Sequence, residues 1–167
     1  MKYILVITAI IFLGSSVDKK SISDPKEQIT HINTLLDEWH LAAARADSEK
    51  FFGAMTDDAI YIGTDATENW VKKDFIIWSK PYFDRGKAWN FTRLERNIYF
   101  DESGNTAWFD ELLNTQMKIC RGSGVLIKQN NNWKIAHYVL SMTIPNDLSD
   151  KVIDIKAVAE DELIKKY

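Results

Sequence analysis

The sequence has 167 residues, a length that fits one domain with a core large enough to need no disulfide or metal. Its 21 basic and 24 acidic side chains give a net charge of −3 without a basic stripe, which argues against nucleic acid as a partner. Aromatic residues make up 12% of the chain, enough for a large core or an aromatic-lined pocket. The single cysteine, Cys120, cannot form an internal disulfide and is expected in the sheet as a small apolar residue.

The N-terminus has the pattern of a secretory signal. Lys2 precedes an apolar run, Tyr3–Leu13, and residues 14–16 then supply small side chains for cleavage. The run is shorter than the ~20 residues that span a bilayer, and no lipoprotein cysteine follows it. We therefore predict a signal peptide over residues 1–16 and a secreted or periplasmic protein without a membrane partner. An uncleaved membrane anchor is the alternative.

Three helices and one strand are predicted in the first half of the mature chain. Asp24 is suited to cap a long amphipathic helix, and Asp47 is suited to cap a shorter second helix, "SEKFFGAM". A short strand is predicted over residues 59–63 and a third helix over residues 68–83. Pro81 is expected to end or kink this third helix, because proline lacks the backbone N–H that a helix interior needs.

The second half of the chain alternates polar and apolar residues, as β-strands do. The turn-rich links "DESGN", "CRGSG" and "NNN" separate consecutive strands, so the meander is predicted to be antiparallel. Pro145 stops the last strand, and residues 147–167 are predicted to form a peripheral helix or a frayed tail. Helices followed by a meander indicate an α+β domain.

Several segments resemble one known family. "IGTD", "ENW", "WSKPYF", "AWFDELL", "GSGVLIK" and "WKIAHYVLS", in this order, are similar to the SnoaL-like (DUF4440-type) group of the NTF2-like superfamily, over about residues 24–146. The resemblance implies a cystatin-like cone with three N-terminal helices packed on a curved antiparallel sheet, a deep pocket and a homodimer formed through the sheet. It also implies that any enzyme activity would use a pocket Asp, Glu or His as a proton shuttle.

The last strand carries the first candidate residues for a site. In "WKIAHYVLS", strict alternation places His137 and Ser141 on the same face as Trp133 and Ile135, which predicts a pocket floor with two polar groups. His137 is a candidate general base or ligand contact, and a satisfied core histidine is the alternative. Many relatives carry a second histidine where this chain has Val139, and its absence argues against a site built on a pair of histidines.

Two adjacent carboxylates are the other acid–base candidates. Asp110 and Glu111 must point to opposite faces of their strand, and the more apolar alternation predicts that Glu111 points inward. An apolar wall there would raise the pKa of Glu111. The alternative is an ion pair between Glu111 and Arg93, Arg96 or Arg121 on neighbouring strands.

Aromatic residues are predicted to line the pocket or to pack in the core. The candidates for ligand contacts on the third helix are Trp78, Tyr82 and Phe83. Tyr61, beside the loop after the first strand, and Trp108, beside Asp110, complete the ligand-binding set.

No metal or cofactor is predicted. His31 and His40 lie nine residues apart, on opposite sides of a helix, and cannot share an ion with each other. The favoured function is binding of a small, mostly apolar ligand. The alternatives are an isomerase, dehydratase or hydrolase, and an interaction domain whose open sheet face docks a partner or a second copy.

Overall fold

The computed structural model describes residues 24–167, so the predicted signal peptide lies outside the described residues. The elements are α1 (Pro25–Ala44), α2 (Ser48–Gly53), β1 (Met55–Ile62), β2 (Asn69–Val71), α3 (Lys72–Asp84), β3 (Thr92–Phe100), β4 (Thr106–Thr115), β5 (Lys118–Gln129), β6 (Asn132–Met142), a 3-10 turn (Asn146–Leu148) and α4 (Ser149–Ile164). Three helices, one sheet and a final helix confirm the predicted α+β class.

Both predicted helix caps are present. The Asp24 carboxylate accepts a hydrogen bond from the backbone N–H of Lys26 at 3.0 Å, and Asp47 accepts one from the N–H of Lys50 at 2.9 Å. These bonds satisfy amides that have no partner within the first helical turn. The second helix ends at Gly53, so Met55, predicted within it, instead begins β1.

The third helix differs from its prediction at both ends. Residues 69–71 form β2, which pairs antiparallel with β1, so α3 begins only at Lys72. Pro81 lies inside α3 and does not end it. The last turn holds because Phe83 packs into the core and Lys80 pairs with Asp84 at 2.8 Å.

The sheet has six strands in the order β2-β1-β6-β5-β4-β3. The predicted antiparallel meander from β3 to β6 is confirmed, whereas β1 pairs with β6 in parallel, so the whole sheet is mixed. "CRGSG" is not a turn, because it lies within β5. Gly122 and Gly124 instead face tightly packed neighbours: a Cβ atom added at Gly124 would lie 2.8 Å from the Phe109 ring. Cys120 is buried in the same strand, as predicted.

The core lies between one face of the sheet, here called the inner face, and helices α1 to α3. Its largest buried side chains include Trp39, Phe51, Phe75 and Tyr138. The opposite, outer face carries no helix that buries it in the described part of the chain, and its residues are exposed or half-buried.

A β-bulge in β6 overturns the predicted pocket floor. Trp133 and Ile135 face the core as predicted, but Leu126 pairs with Ile135 and Val125 pairs with His137, so Ala136 is an extra residue. One extra residue reverses the alternation of every side chain that follows it. Tyr138 and Leu140 therefore take the inner positions, and His137 and Ser141 lie on the outer face.

The C-terminal segment forms helix α4 and contributes no buried residue to the core. Ile155 and Val158 are 82% and 79% exposed. Within residues 24–167, no helix combines the length and the apolar character needed to cross a membrane.

Candidate functional site

Glu111 lies at the centre of a buried polar cluster, defined here as His40, Arg96, Glu111 and Tyr138. Its Oε1 lies 2.9 Å from His40 Nε2 and accepts a hydrogen bond from the Tyr138 hydroxyl at 3.1 Å. Its Oε2 accepts a bond from Arg96 Nε at 2.8 Å, and Arg96 Nη2 lies 2.7 Å away. Glu111 points inward, and both of its oxygens are engaged by protein groups.

Four different elements bring this cluster together. Arg96 on β3 is the register partner of Glu111 on β4, and His40 reaches the pair from α1. Tyr138 reaches it only because the bulge turns this residue inward. Gly122 on β5 has no side chain, which leaves space for the side chains of Glu111 and Tyr138. A Cβ atom at this position would lie 2.9 Å from Glu111 Oε1 and would collide with the Tyr138 hydroxyl.

The charges of the cluster keep Glu111 ionised. Burial by itself would raise the pKa of its carboxyl, but the hydrogen bond and charge of His40, together with the Arg96 guanidinium, lower this pKa below the usual 4.5. The expectation of a raised pKa for Glu111 is therefore wrong. Burial and the nearby carboxylate raise the pKa of Tyr138, so its hydroxyl stays a donor. Arg96 also contacts Asp37 at 2.9 Å.

The contact between Glu111 and an arginine was considered in the sequence analysis, whereas the contact between Glu111 and His40 was not predicted. An arginine partner for Glu111 was one of the two alternatives, and Arg96 fills this role. His40 lies 71 residues from Glu111 in sequence, and no local pattern joins the two. The available signal was its place in α1, four residues after Leu36 and one after Trp39, on the buried side of the helix.

A separate cavity of about 610 Å³ lies between α3, the β1–β2 loop and the β4–β5 turn. We call it the aromatic cavity. The residues that line it include Tyr61, Gly63, Glu68, Trp70, Trp78, Tyr82, Arg85 and Lys87. Its volume falls within the ~300–1,000 Å³ typical of small-molecule sites.

One wall of the aromatic cavity is a row of adjacent rings, the aromatic ladder of Trp70, Trp78 and Tyr82. The ring centroids of Trp70 and Trp78 are 4.4 Å apart, and those of Trp78 and Tyr82 are 5.1 Å apart. Trp78 and Tyr82 stack because residues four apart share one face of a helix. Arg85 lies over the Tyr82 ring at 4.6 Å. Trp78 remains 39% exposed and lines the cavity.

Tyr61 contributes a buried hydroxyl group to the lining of the cavity. The residue is 5% exposed, and its hydroxyl has no hydrogen-bond partner among residues 24–167. Burial, followed by the charges of Glu68 and Glu111, raises the pKa of Tyr61. The hydroxyl therefore stays protonated and is available as a donor to a ligand.

The predicted ligand-binding residues are divided between three places. Tyr61, Trp78 and Tyr82 line the aromatic cavity. Phe83 is 7% exposed and packs in the core against Phe51 and Phe52.

The remaining predicted residues lie on the outer face, away from the aromatic cavity. Trp108 is 46% exposed and stacks on Tyr99 at 6.0 Å, in the same lateral row as His137. Asp110 accepts a hydrogen bond from the Asn97 side chain at 3.2 Å. Ser141 is exposed. The predicted pocket positions of Trp108, His137 and Ser141 are wrong, because alternation along β4 directs Trp108 outward and the bulge in β6 directs His137 and Ser141 outward. Asp110 points outward, as expected from the predicted inward orientation of Glu111.

No metal-binding group is present within the described residues: nowhere in 24–167 do three His, Cys, Asp or Glu side chains lie close enough to hold an ion. His40 lines a smaller cavity of about 340 Å³ between α1 and the start of β3. Its Nδ1 is buried and has no hydrogen-bond partner in this part of the chain.

The helices over a mixed sheet, with a cavity at one end, define an NTF2-like, cystatin-like protein. Solved structures agree. An NTF2-like protein of unknown function from Pseudomonas putida matches with a TM-score of 0.62 at 13% identity, covering 72% of this chain and 90% of that one. A protein of unknown function with a cystatin-like fold from Nostoc punctiforme matches at 0.58 and 11% identity, with coverages of 72% and 93%.

The SnoaL-like domain family matches residues 32–145, and the chain belongs to this family. An NTF2-like protein from Cytophaga hutchinsonii is a further structural neighbour, with a TM-score of 0.57, 15% identity and coverages of 72% and 99%. At these identities the structural matches show the fold alone. No curated protein matches the sequence.

Proposed function

We propose that this protein binds a small, mostly apolar ligand with a flat ring in the aromatic cavity. The observation that carries the proposal is the aromatic ladder, whose rings line a cavity of about 610 Å³ together with the unpartnered Tyr61 hydroxyl. Stacking on Trp and Tyr favours planar ligands, and one polar group on the ligand would accept the Tyr61 hydrogen bond.

Binding without catalysis by the predicted acid–base residues is the better-supported interpretation of this geometry. An acid–base role as an isomerase, dehydratase or hydrolase needs a carboxylate or histidine that can reach the ligand. Both Glu111 oxygens are occupied by Arg96, His40 and Tyr138. His137 and Asp110 are directed away from the cavity, so neither of the other two acid–base candidates meets a ligand bound there.

The test compares two exposed tryptophans. Calorimetric titration with a panel of planar ring compounds, including indole and 2-naphthol, identifies a binder, and the measurement is then repeated on Trp78→Ala and Trp108→Ala. Loss of a stacking wall should weaken binding by about tenfold, which corresponds to ~1.4 kcal/mol. Trp108→Ala is the matched control because its ring is similarly exposed, at 46% against 39%, but lies on the outer face. Equal effects of the two variants would contradict the proposal.

Two further proposals concern location and assembly. We propose that residues 1–16 are removed on export, on the basis of the charge, apolar run and small residues described above. We also propose that two copies pair through the outer face, because Tyr99 and Trp108 form an exposed aromatic pair there, each 46% exposed.

A further inference from the structure

Three charged residues line the aromatic cavity: Glu68 on the β1–β2 loop, and Arg85 and Lys87 after α3. None of them forms an ion pair with another residue of the described chain. Glu68 is half-buried, whereas Arg85 and Lys87 are exposed. Solvent and salt screen exposed charges more strongly than half-buried ones, so the negative charge of Glu68 is screened less than the positive charges of Arg85 and Lys87.

The loop is built to hold the Glu68 side chain against its own backbone. The Glu68 carbonyl accepts a hydrogen bond from the Gly63 N–H at 3.0 Å, and the Glu68 carboxylate accepts one from the Asp65 N–H at 3.2 Å. A Cβ atom added at Gly63 would overlap the carboxylate and lie 2.9 Å from Glu68 Cδ. The absence of a side chain at position 63 therefore allows this placement of the charge.

The aromatic rings that line the cavity with Glu68 are also suited to bind a positive group. The face of an aromatic ring, above all of Trp, carries negative potential and attracts cations. The aromatic ladder already uses this property at its other end, where the Arg85 guanidinium lies 4.6 Å from the centre of the Tyr82 ring. Trp70, two residues after Glu68, and Trp78 have no such cation over them in the described chain.

We infer that the ligand of the aromatic cavity is an organic cation, whose positively charged nitrogen lies between the Glu68 carboxylate and the indole faces of Trp70 and Trp78. This inference rests on the proposed function, because it assigns the chemical class of the ligand for the same cavity. It assigns charge recognition to Glu68, and ring stacking to the aromatic ladder.

The test uses three probes that share one ring and differ in charge: tryptamine, neutral 3-ethylindole and anionic indole-3-propionate, each titrated calorimetrically at neutral pH and low salt. We expect tryptamine to bind at least about tenfold more tightly than 3-ethylindole, and indole-3-propionate to bind most weakly. Glu68→Gln and Gly63→Ala should each remove this preference and leave 3-ethylindole binding within about twofold, because the ring contacts remain. Glu102→Gln, on the exposed β3–β4 turn, is the matched control for removing one negative charge and should change nothing.

The outcomes separate the two proposals. If 3-ethylindole binds as well as tryptamine, or indole-3-propionate binds best, the cavity takes ring ligands but the cation inference is wrong. If none of the three probes binds, both the proposed ring binding and the cation inference are wrong. A preference for tryptamine that survives in Glu68→Gln would also overturn the inference, and circular dichroism of each variant establishes that it is folded.

Discussion

Replacing Glu111 with leucine removes the only inner-face carboxylate that contacts Arg96 within the described chain. The side chains of Arg96 and Glu111 are both 0% exposed, so the guanidinium would remain buried with less compensation. Removing one partner of a buried ion pair costs about 3–5 kcal/mol. Asp37 still contacts Arg96 at 2.9 Å, although its own side chain is 41% exposed, so we expect the lower end, about 3 kcal/mol.

Urea unfolding followed by circular dichroism measures this loss. For a domain of this size the unfolding free energy changes by ~1–3 kcal/mol per molar urea, so the midpoint should fall by about 1 M or more. Asp110→Asn is the matched control, since the neighbouring carboxylate faces outward and should change the free energy by only about 0.5 kcal/mol. Adding Arg96→Met to Glu111→Leu should recover much of the loss. A Glu111→Leu protein within 1 kcal/mol of the parent would refute the reasoning.

Four further predictions follow from the same structure. The pKa of Glu111 is lower in the folded than in the unfolded chain, so ionised Glu111 stabilises the fold above pH 4.5, and this stabilisation is lost as the pH falls through the folded pKa. The melting temperature measured against pH should therefore fall in acid. The fall should be smaller in Glu111→Gln. Gly122→Ala should cost about 1–3 kcal/mol in urea unfolding by overpacking the buried cluster, whereas Gly53→Ala, with no atom within 4 Å of the added Cβ, should not. Trp108→Glu should convert a dimer to a monomer in sedimentation, and a parent that is already monomeric would contradict the proposed assembly. N-terminal sequencing of exported protein should begin at about residue 17, and an intact Met1 would contradict cleavage.

Local features were predictable because their causes are local. The caps Asp24 and Asp47 lie next to the amides that they bond, and the period of apolar residues reports the helices directly. The inward orientation of Glu111 followed from strand alternation, because no bulge interrupts β4 around it. The ladder residues Trp78 and Tyr82 could be placed together because they lie four apart on one helix.

The wrong positions predicted for His137 and Ser141 share one physical cause. The bulge at Ala136 is visible only as a register shift against β5, and it decides whether His137 or Tyr138 enters the core. Nothing within "WKIAHYVLS" distinguishes the two outcomes, since a histidine and a tyrosine are both compatible with a half-buried strand.

The sequence by itself determined the class of fold, the starts of the first two helices, the meander and the inward carboxylate, because periodicity and capping act over a few residues. Only the tertiary structure decided that Glu111 is held by His40 and Arg96, that Trp108, His137 and Ser141 lie on the outer face, and that Glu68 and the aromatic ladder line the same cavity. Those outcomes depend on contacts between elements far apart in the chain, where one bulge or one glycine changes which side chains meet.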